Sequence, residues 1–338
     1  VMKQDAMSAV RRAHPRTWRA WLLGFAVGLL AALATPALAD KYPDRSIRLI
    51  VPLPPGGAVD ITARLLQPLL EKSLGQSIVI DNRPGASGII GANVVATAPP
   101  DGYTLLMVPT TFTINPATNA NMPFDPLKAF APIAVIGRNS LLFLVNPTVE
   151  ANNLPDFVKL AKADPGKLNY ATPGASSQAH LLLELWSAQA GIKMQHVPYR
   201  GGAPAVRAVV AGEAQLTLIS PLASLPQIEA KKLKALATGG PVREAQLPNV
   251  QTAAEAGFPK FAGLQWIGLL TTGGTPKAIV ERLNAEVNRA LNDKGLQAKF
   301  AEQGMSTAGG SPAEFRTLIA TEIEQWTDVA RMAQIKVK

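Results

Sequence analysis

Short apolar runs alternate with helix-like patterns along most of this chain. In the longer segments apolar residues recur at intervals of three and four, which is the period of an amphipathic helix. The shorter segments have the length and apolar content of buried strands. Strands that alternate with helices predict an open α/β architecture. The strand candidates are residues 47–51, 78–81, 103–108, 133–136, 141–145, 168–171, 195–198, 216–219, 233–238 and 266–270.

Three helices have recognisable end signals. The first spans residues 58–74 and has Gly75 as its stop. Thr275-Pro276 predicts an N-cap followed by proline in the first turn of a second helix. A capping box of Ser311 and Glu314 precedes the last helix.

Two of the apolar runs are candidates for strands that cross between lobes. Residues 141–145 and 233–238 are unusually apolar, and Gly239-Gly240-Pro241 follows the second run. If both cross, residues 40–140 and 240–338 form one α/β lobe and residues 141–239 form the other. Two crossovers make a hinge, and a ligand then binds in the cleft between the lobes.

The first 39 residues have the pattern of a secretory signal peptide. Four arginines precede an apolar run over about residues 21–34, and small residues stand at Ala37 and Ala39, which predicts cleavage after Ala39. The run is short for a membrane span, although an uncleaved anchor is the alternative. The chain has no cysteine, which excludes disulfides and lipid attachment to a cysteine. We therefore expect a protein that is free in the periplasm.

Much of the positive charge belongs to this N-terminal segment. The chain has 33 Lys and Arg against 24 Asp and Glu, and five of the former and one of the latter lie in residues 1–39, so the rest carries +5. That charge is spread without a basic stripe or interleaved aromatic residues, which argues against nucleic-acid binding. A mildly positive surface suits acidic solutes.

The segment Pro54-Pro55-Gly56-Gly57 separates the first predicted strand from the first predicted helix. A tight turn there points backbone N–H groups and the positive end of the helix dipole at an anion. It has neither the P-loop nor the dinucleotide-binding pattern, and an ordinary turn without a ligand is the structural alternative. We interpret Asp60, in the first helical turn, as a structural residue, because its charge would repel a carboxylate; contact with a ligand amine is the alternative.

With these motifs the chain resembles the Bug-type periplasmic solute-binding proteins of tripartite tricarboxylate transport (TTT) systems. The resemblance covers nearly all of residues 40–338, and its strength lies in the order of the motifs. It implies a two-lobed type II periplasmic-binding-protein fold that captures small carboxylates without catalysis. The motifs are Tyr42-Pro43, Pro54-Pro55-Gly56-Gly57 with Asp60, Asp81-Asn82-Arg83-Pro84-Gly85-Ala86, Asp101-Gly102-Tyr103-Thr104-Leu105, Pro198-Tyr199-Arg200-Gly201-Gly202-Ala203-Pro204 and Leu247-Pro248-Asn249-Val250.

A second candidate loop, Ala175-Ser176-Ser177, follows the predicted strand at 168–171 and opens a helix. Its hydroxyl and backbone hydrogens would reach the cleft from the second lobe. The corresponding family loop reads G-x-G-S-x-x-H-L, and here Ser176 replaces the second glycine, so ligand preference is expected to differ. A simple N-cap is the alternative role for either serine, and both roles can coexist.

Further candidate contacts come from three other segments. Thr110 and Thr111 follow a predicted strand and would supply hydroxyl donors, unless they belong to a β-prone loop without ligand. Tyr199 and the Ser220-Pro221 turn would complete the cleft. The family commonly has an Asp where this chain has Gln215, which argues against a cationic ligand.

Enzyme activity has little support. Residues 174–178 fall one residue short of the G-x-S-x-G pattern, and His180 on the same helix is badly placed for a catalytic triad. His180 and Glu184 have the spacing of a metal pair but also of an ion pair, and no H-E-x-x-H motif occurs. We expect no catalytic residue, no metal and no cofactor.

These observations predict a periplasmic solute receptor. It would close two lobes around a small organic acid and deliver it to integral membrane transporter subunits. A sensor kinase is a further candidate partner, nucleic acid is not, and we expect a monomer. The alternative is a periplasmic scaffold or signalling subunit that keeps the fold and acts through a protein partner.

Overall fold

Two mixed β-sheets organise the protein in a computed structural model that describes residues 42–175 and 177–332. The predicted signal peptide and Ser176 lie outside the described residues. The strands are β1 (Ile47–Val51), β2 (Ile78–Asn82), β3 (Thr104–Pro109), β4 (Phe130–Ser140), β5 (Leu142–Val145), β6 (Asn169–Thr172), β7 (Gln195–Pro198), β8 (Leu216–Ile219), β9 (Lys234–Thr238), β10 (Leu264–Thr272) and β11 (Ser306–Gly309).

Helices follow most of the strands, as the alternating pattern predicts. In the described part of the chain, none of them is long and apolar enough to cross a membrane. The helices are α1 (Ala58–Leu74), α2 (Ile89–Ala96), α3 (Thr111–Thr118), α4 (Leu154–Ala163), α5 (Gln178–Ala190), α6 (Gly202–Val210), α7 (Pro221–Glu229), α8 (Lys277–Leu291), α9 (Lys294–Glu302) and α10 (Pro312–Met332).

The first sheet has six strands in the order β11-β4-β10-β3-β1-β2, and the second has five in the order β7-β6-β8-β5-β9. In the first sheet β1 is parallel to β2 and β3, whereas β10 is antiparallel to β3 and β4. In the second sheet β6 is parallel to β7 and β8, and β5 is antiparallel to β8 and β9. Parallel strands in each sheet direct their carboxyl ends, where ligands of open α/β sheets bind, to one edge.

The chain passes between the sheets twice, where Leu141 joins β4 to β5 and where residues 239–263 join β9 to β10. The two passages are hydrogen-bonded to each other. The N–H of Leu141 donates to the carbonyl of Gly263 at 2.7 Å, and the N–H of Gly239 donates to the carbonyl of Leu141 at 2.7 Å. A Cβ on Gly239 would lie 2.8 Å from the Cα of Gly263, so only glycine allows this approach. The exact limits of two lobes remain a prediction.

Helix α10 contributes to the cores of both sheets within the compact unit Pro43–Lys338. Phe315 and Ile319, in its first half, pack with residues of β1, β3, β4 and β10. Trp326 and Ala330, in its second half, pack in the core of the second sheet with Trp186. At 1.5 Å per residue the helix is about 30 Å long, enough to reach both.

Two of the three predicted helix-end signals agree with the structure, and the third is wrong by one residue. Pro276, not Thr275, is the N-cap of α8, because the Thr275 hydroxyl donates to the carbonyl of Thr272 instead of capping the helix. Gly75 ends α1 with a left-handed φ of 70°, and Ser311 and Glu314 form the predicted reciprocal cap of α10. Thr111 begins a buried helix, so the alternative of a β-prone loop at the threonines is wrong. Tertiary packing outweighs the β propensity of threonine there, because Thr113 donates to Glu322 on α10.

Candidate functional site

The first candidate turn lies between β1 and α1, as predicted. Residues Pro54 to Gly57 are all exposed to solvent. Gly56 has a left-handed φ of 76°, and Gly57 is the N-cap of α1 with an extended conformation. The N–H groups of the first helical turn have no partner within the helix. This turn therefore presents donors and the positive end of the α1 dipole to solvent.

Asp60 holds this turn in place. Its carboxylate is only 2% exposed, and it accepts hydrogen bonds from the N–H of Gly56 at 2.9 Å, from Arg64 at 2.9 Å and from Asn82 at 3.1 Å. Burial raises the pKa of Asp60, but the hydrogen bonds from Arg64, Gly56 and Asn82 outweigh it and hold that pKa below its ordinary value. The Gly56 N–H is thus already used, which leaves Gly57 and the first turn of α1 as the available donors.

The second candidate turn precedes α5. Ala175 is exposed, and the Ser177 hydroxyl caps α5 by accepting a hydrogen bond from the N–H of His180 at 3.3 Å. A hydroxyl that accepts still has its own hydrogen to donate. Next to it, the Gln178 side chain donates to the carbonyl of Leu264 at 2.6 Å. This bond places the start of α5 against the start of β10, so the turn borders the first sheet.

The two threonines at the end of β3 have different surroundings. Thr110 is fully buried, and its hydroxyl accepts from the N–H of Trp266 at 2.9 Å. Thr111 is half-buried at the start of α3. Below them Glu322 accepts from Thr113 at 2.7 Å and from the Trp266 indole N–H at 2.9 Å. Burial raises the pKa of Glu322, although both hydrogen bonds oppose the shift.

Tyr199 and the Ser220-Pro221 turn also lie in the second-sheet half of the protein. The hydroxyl of Tyr199 donates to Glu213 at 3.1 Å. Ser220 is buried and is the N-cap of α7, with Pro221 as the first helical residue. A Cβ on Gly304 would overlap Pro221, so this turn packs closely against the segment between α9 and β11.

One pocket brings parts of these turns together. It is a small crevice that encloses about 10 Å³, room for about one water molecule. It joins the start of α1, next to Gly57, to Ser220, but Thr110, Thr111, Ala175, Ser177 and Tyr199 are not in its lining. Its lining residues are Ala58, Ile61, Thr62, Leu65, Asn139, Ser220, Leu222, Ile267, Gln303 and Met305.

Most of this lining gave no signal in the sequence. Gln303 and Met305 follow α9, about 245 positions after the first turn, and reach the pocket only through tertiary packing. The helical spacing of Ile61 and Leu65 predicts that they pack in the core below α1, which is the usual role of apolar residues in such a pattern. The close packing of Gly304 against Pro221 explains how the segment at 303–305 joins the site.

Two histidines stack next to the second turn. The rings of His180 and His196 are 3.8 Å apart and nearly parallel. His196 shares a hydrogen bond with the hydroxyl of Thr172 at 2.7 Å, and Glu184 accepts from the Tyr170 hydroxyl. No group of three metal-ligating side chains occurs in the described ranges 42–175 and 177–332. The stacked rings and the bond from His196 to Thr172 lie at the base of the second turn.

We expect the histidine pair to make the stability of the protein depend on pH. Burial, and then the neighbouring His180, lower the pKa of His196 from 6.5 to about 4. As the pH falls, His196 is protonated in the unfolded chain before it is protonated in the folded protein. The free energy of unfolding therefore decreases as the pH falls from about 6.5 to about 4. The His196 ring is about half-exposed, so solvent screening reduces the effect of the pKa shift. We expect His196 to account for about 1–2 kcal/mol of this loss. Urea denaturation at pH 7.5 and 4.5 should show a smaller pH effect in His196→Gln, and an equal effect in both proteins would contradict the assignment.

Several known proteins are similar to this chain in both sequence and fold. A family model described as the tripartite tricarboxylate transporter family receptor, TctC, matches residues 62–334. Protein BugT of Bordetella pertussis is 36% identical over 310 residues, which cover 91% of this chain and 95% of BugT.

Two solved structures are similar over most of the chain. Rpa4515 of R. palustris, solved with adipate, has a TM-score of 0.83 and 34% identity over 88% of this chain and 99% of its own. The periplasmic binding protein BugD has a TM-score of 0.80 and 27% identity over 87% and 99%. These similarities confirm the α/β periplasmic-binding-protein fold and the resemblance found in the motifs. The chain belongs to the tripartite tricarboxylate transporter receptor family, the family of periplasmic receptors that includes the Bug proteins.

Proposed function

We propose that this protein binds a small carboxylate between its two sheets and delivers it to a membrane transporter. The observation that carries the proposal is the exposed N-terminus of α1 at Gly57, whose neighbour Ala58 lines a small crevice together with Ser220 from the other half of the protein. A helix N-terminus favours anions through its free N–H groups and its dipole. The adipate held by Rpa4515 is a ligand of the proposed class.

The proposed contacts need no buried countercharge. Gly57, the first turn of α1 and serine hydroxyls are neutral donors that act directly or through water. Hydrogen bonds to a charged group contribute about 1.5–3 kcal/mol each, and a micromolar receptor needs about 8 kcal/mol in total. The full set of proposed contacts is Pro54, Pro55, Gly56, Gly57, Thr110, Thr111, Ala175, Ser176, Ser177, Tyr199, Ser220 and Pro221.

The proposed export and the proposed partners are suggested by membership of this family. Removal of residues 1–39 would release the receptor into the periplasm, where integral membrane subunits of a TTT system would accept its ligand. A sensor kinase is an additional candidate partner. We propose that the bound molecule is carried unchanged, since the matched family is described as a receptor family.

A thermal-shift screen of organic acids tests the proposal. A ligand present at 100 times its dissociation constant adds about 2.7 kcal/mol to stability. We expect one or more carboxylates to raise the melting temperature, and the matching uncharged amides to have no effect. If no carboxylate raises it, the protein is a scaffold that acts through a partner and the proposal is wrong.

Ser177→Ala separates ligand contact from helix capping. If the hydroxyl donates to the ligand, the variant should weaken carboxylate binding by about 1–3 kcal/mol. If it only caps α5, stability should fall by about 1 kcal/mol with affinity unchanged. Calorimetric titration and urea denaturation of the same variant measure both quantities. We expect both to fall, and an unchanged affinity would remove Ser177 from the site.

A further inference from the structure

We infer that Glu322 and Gln178 are positioning residues for ligand binding, which hold the start of β10 from two sides and through it join the two halves of the proposed site. Neither residue is among the proposed ligand contacts. This inference rests on the proposed function. It concerns the residues that keep the threonines after β3 and the second candidate turn at a fixed separation.

The start of β10 is hydrogen-bonded to the end of β3. The N–H of Trp266 donates to the hydroxyl of Thr110 at 2.9 Å, and the N–H of Thr110 donates to the carbonyl of Trp266 at 3.1 Å. Thr110 directly precedes Thr111, which is the first residue of α3 and a proposed ligand contact. The position of Trp266 therefore determines where α3 begins.

Glu322 fixes both Trp266 and α3 to α10. Its half-buried carboxylate accepts hydrogen bonds from the indole N–H of Trp266 at 2.9 Å and from the hydroxyl of Thr113 at 2.7 Å. The Thr113 hydroxyl also lies 2.8 Å from the carbonyl of Thr110. Hydrogen bonds to an ionised acceptor are about twice as strong as those between neutral groups. One side chain thus holds the strand and the helix on which the threonine half of the site depends.

Gln178 holds the same segment of β10 from the second-sheet side. It is only 3% exposed, and its amide N–H donates to the carbonyl of Leu264 at 2.6 Å. Leu264 is the first residue of β10, two positions before Trp266. Gln178 follows Ser177, which is the N-cap of α5 and a proposed ligand contact. Residues 264–266 are therefore bonded to both halves of the proposed site.

This arrangement matters because the two halves belong to different sheets. Groups that bind one ligand must be held to within about 0.5 Å of the productive geometry by residues that are themselves locked in place. Residues 264–266 follow the passage 239–263, where the chain enters the first sheet. We therefore expect the loss of either bond to lower ligand affinity in a protein that is still folded.

Adipate binding, measured by isothermal titration calorimetry, tests the role of Glu322. Glu322→Ala should weaken binding at least about 10-fold, because it removes two hydrogen bonds to a charged group. Glu322→Gln should remain within about threefold of the wild type, since its oxygen can accept from Trp266 and its nitrogen can donate to the Thr113 hydroxyl. If Glu322→Ala fails to fold, Thr113→Val replaces it and should weaken binding at least about threefold.

Gln178→Met tests the bond to Leu264. Among the described residues, the side-chain oxygen of Gln178 has no hydrogen-bond partner. Methionine has a similar length, so the substitution removes only the bond to the Leu264 carbonyl. We expect adipate to bind this variant at least about fivefold more weakly than the wild type.

Two core substitutions separate positioning from stability. Ile319 on α10 and Leu183 on α5 are buried in the cores of the first and second sheets, and their side chains form no hydrogen bonds. Ile319→Ala and Leu183→Ala should lower the melting temperature at least as much as Glu322→Ala and Gln178→Met. At a temperature where all variants are folded, adipate affinity should stay within about twofold of the wild type. An equal loss of affinity in the core variants would overturn the inference.

Amide hydrogen exchange tests the connection without any ligand. In Glu322→Ala, exchange should accelerate at Thr110 and Trp266 and also at Leu181, near the start of α5. In Gln178→Met, exchange should accelerate at Trp266 and Thr110 as well as in α5. Acceleration confined to the contacts of the substituted residue would overturn the inference.

The outcomes distinguish this inference from the proposed function. Unchanged adipate binding in folded Glu322→Ala and Gln178→Met proteins keeps the proposed function and overturns the inference. If the thermal-shift screen identifies another carboxylate, that compound replaces adipate in the same titrations. A wild-type protein that binds no carboxylate overturns the proposed function, and hydrogen exchange then decides whether β10 joins the two halves. Weaker binding in both variants, with wild-type binding in Glu322→Gln and in the core variants, supports both.

Discussion

Gly57→Asp should abolish carboxylate binding while the protein stays folded. Gly57 has φ of −83° and ψ of 169°, a conformation open to any residue. A Cβ there would meet only the carbonyl of Pro54, at 3.5 Å. Aspartate is also a favourable N-cap, so its carboxylate would occupy the N–H groups of α1 that the ligand needs. We expect affinity to fall at least about 100-fold, or about 2.8 kcal/mol.

Calorimetric titration and the melting temperature together check this result. Gly57→Asn is the matched control, because it has the same shape without the charge, and it should lose less affinity than Gly57→Asp. The melting temperature of Gly57→Asp should equal or exceed that of the wild type. Unchanged affinity in a folded Gly57→Asp protein would mean that the turn is only structural.

Asp60→Ala should lower the free energy of unfolding by about 2–4 kcal/mol and weaken ligand binding as well. The substitution removes the hydrogen bonds that the buried carboxylate accepts from the Gly56 N–H and from Asn82, whose side chain keeps its bond to the Leu53 carbonyl. Hydrogen bonds to a charged group contribute about 1.5–3 kcal/mol each. Ligand affinity should fall because the turn at Gly57 is no longer held. Urea denaturation measures the first effect and titration the second.

Arg64→Ala is the control for Asp60. The Arg64 side chain is 53% exposed, and exposed ion pairs contribute about 1 kcal/mol or less. We therefore expect Arg64→Ala to have a small effect on stability. If Asp60→Ala destabilises the protein no more than Arg64→Ala does, the carboxylate does not organise the turn.

Local signals were enough to predict the first half of the candidate site. The strand at 47–51, the turn and the start of α1 are adjacent in the chain, and glycine and proline mark the turn. The structural interpretation of Asp60 also required only its place in the first helical turn. Its hydrogen bonds to Gly56 and Arg64 agree with that interpretation.

Contacts between distant segments could not be predicted in this way. Gln178 reaches Leu264 across 86 positions, and Met305 joins the pocket from the other end of the chain. The threonines after β3 predict hydroxyl donors for the ligand or a β-prone loop, yet the segment is a buried helix in which Thr113 donates to Glu322. Such contacts depend on how helices and strands pack against each other. The residues next to each of these positions in the sequence give no information about that packing.

The position of α10 has a consequence for how the chain reaches its native state. Neither sheet completes its core from its own strands and connecting helices, because Phe315 closes one core and Trp326 the other. A polypeptide that emerges N-terminus first, from a ribosome or through a membrane pore, therefore has two unfinished cores until its last helix arrives. A loosely packed intermediate and a late, cooperative final step both follow from that single helix.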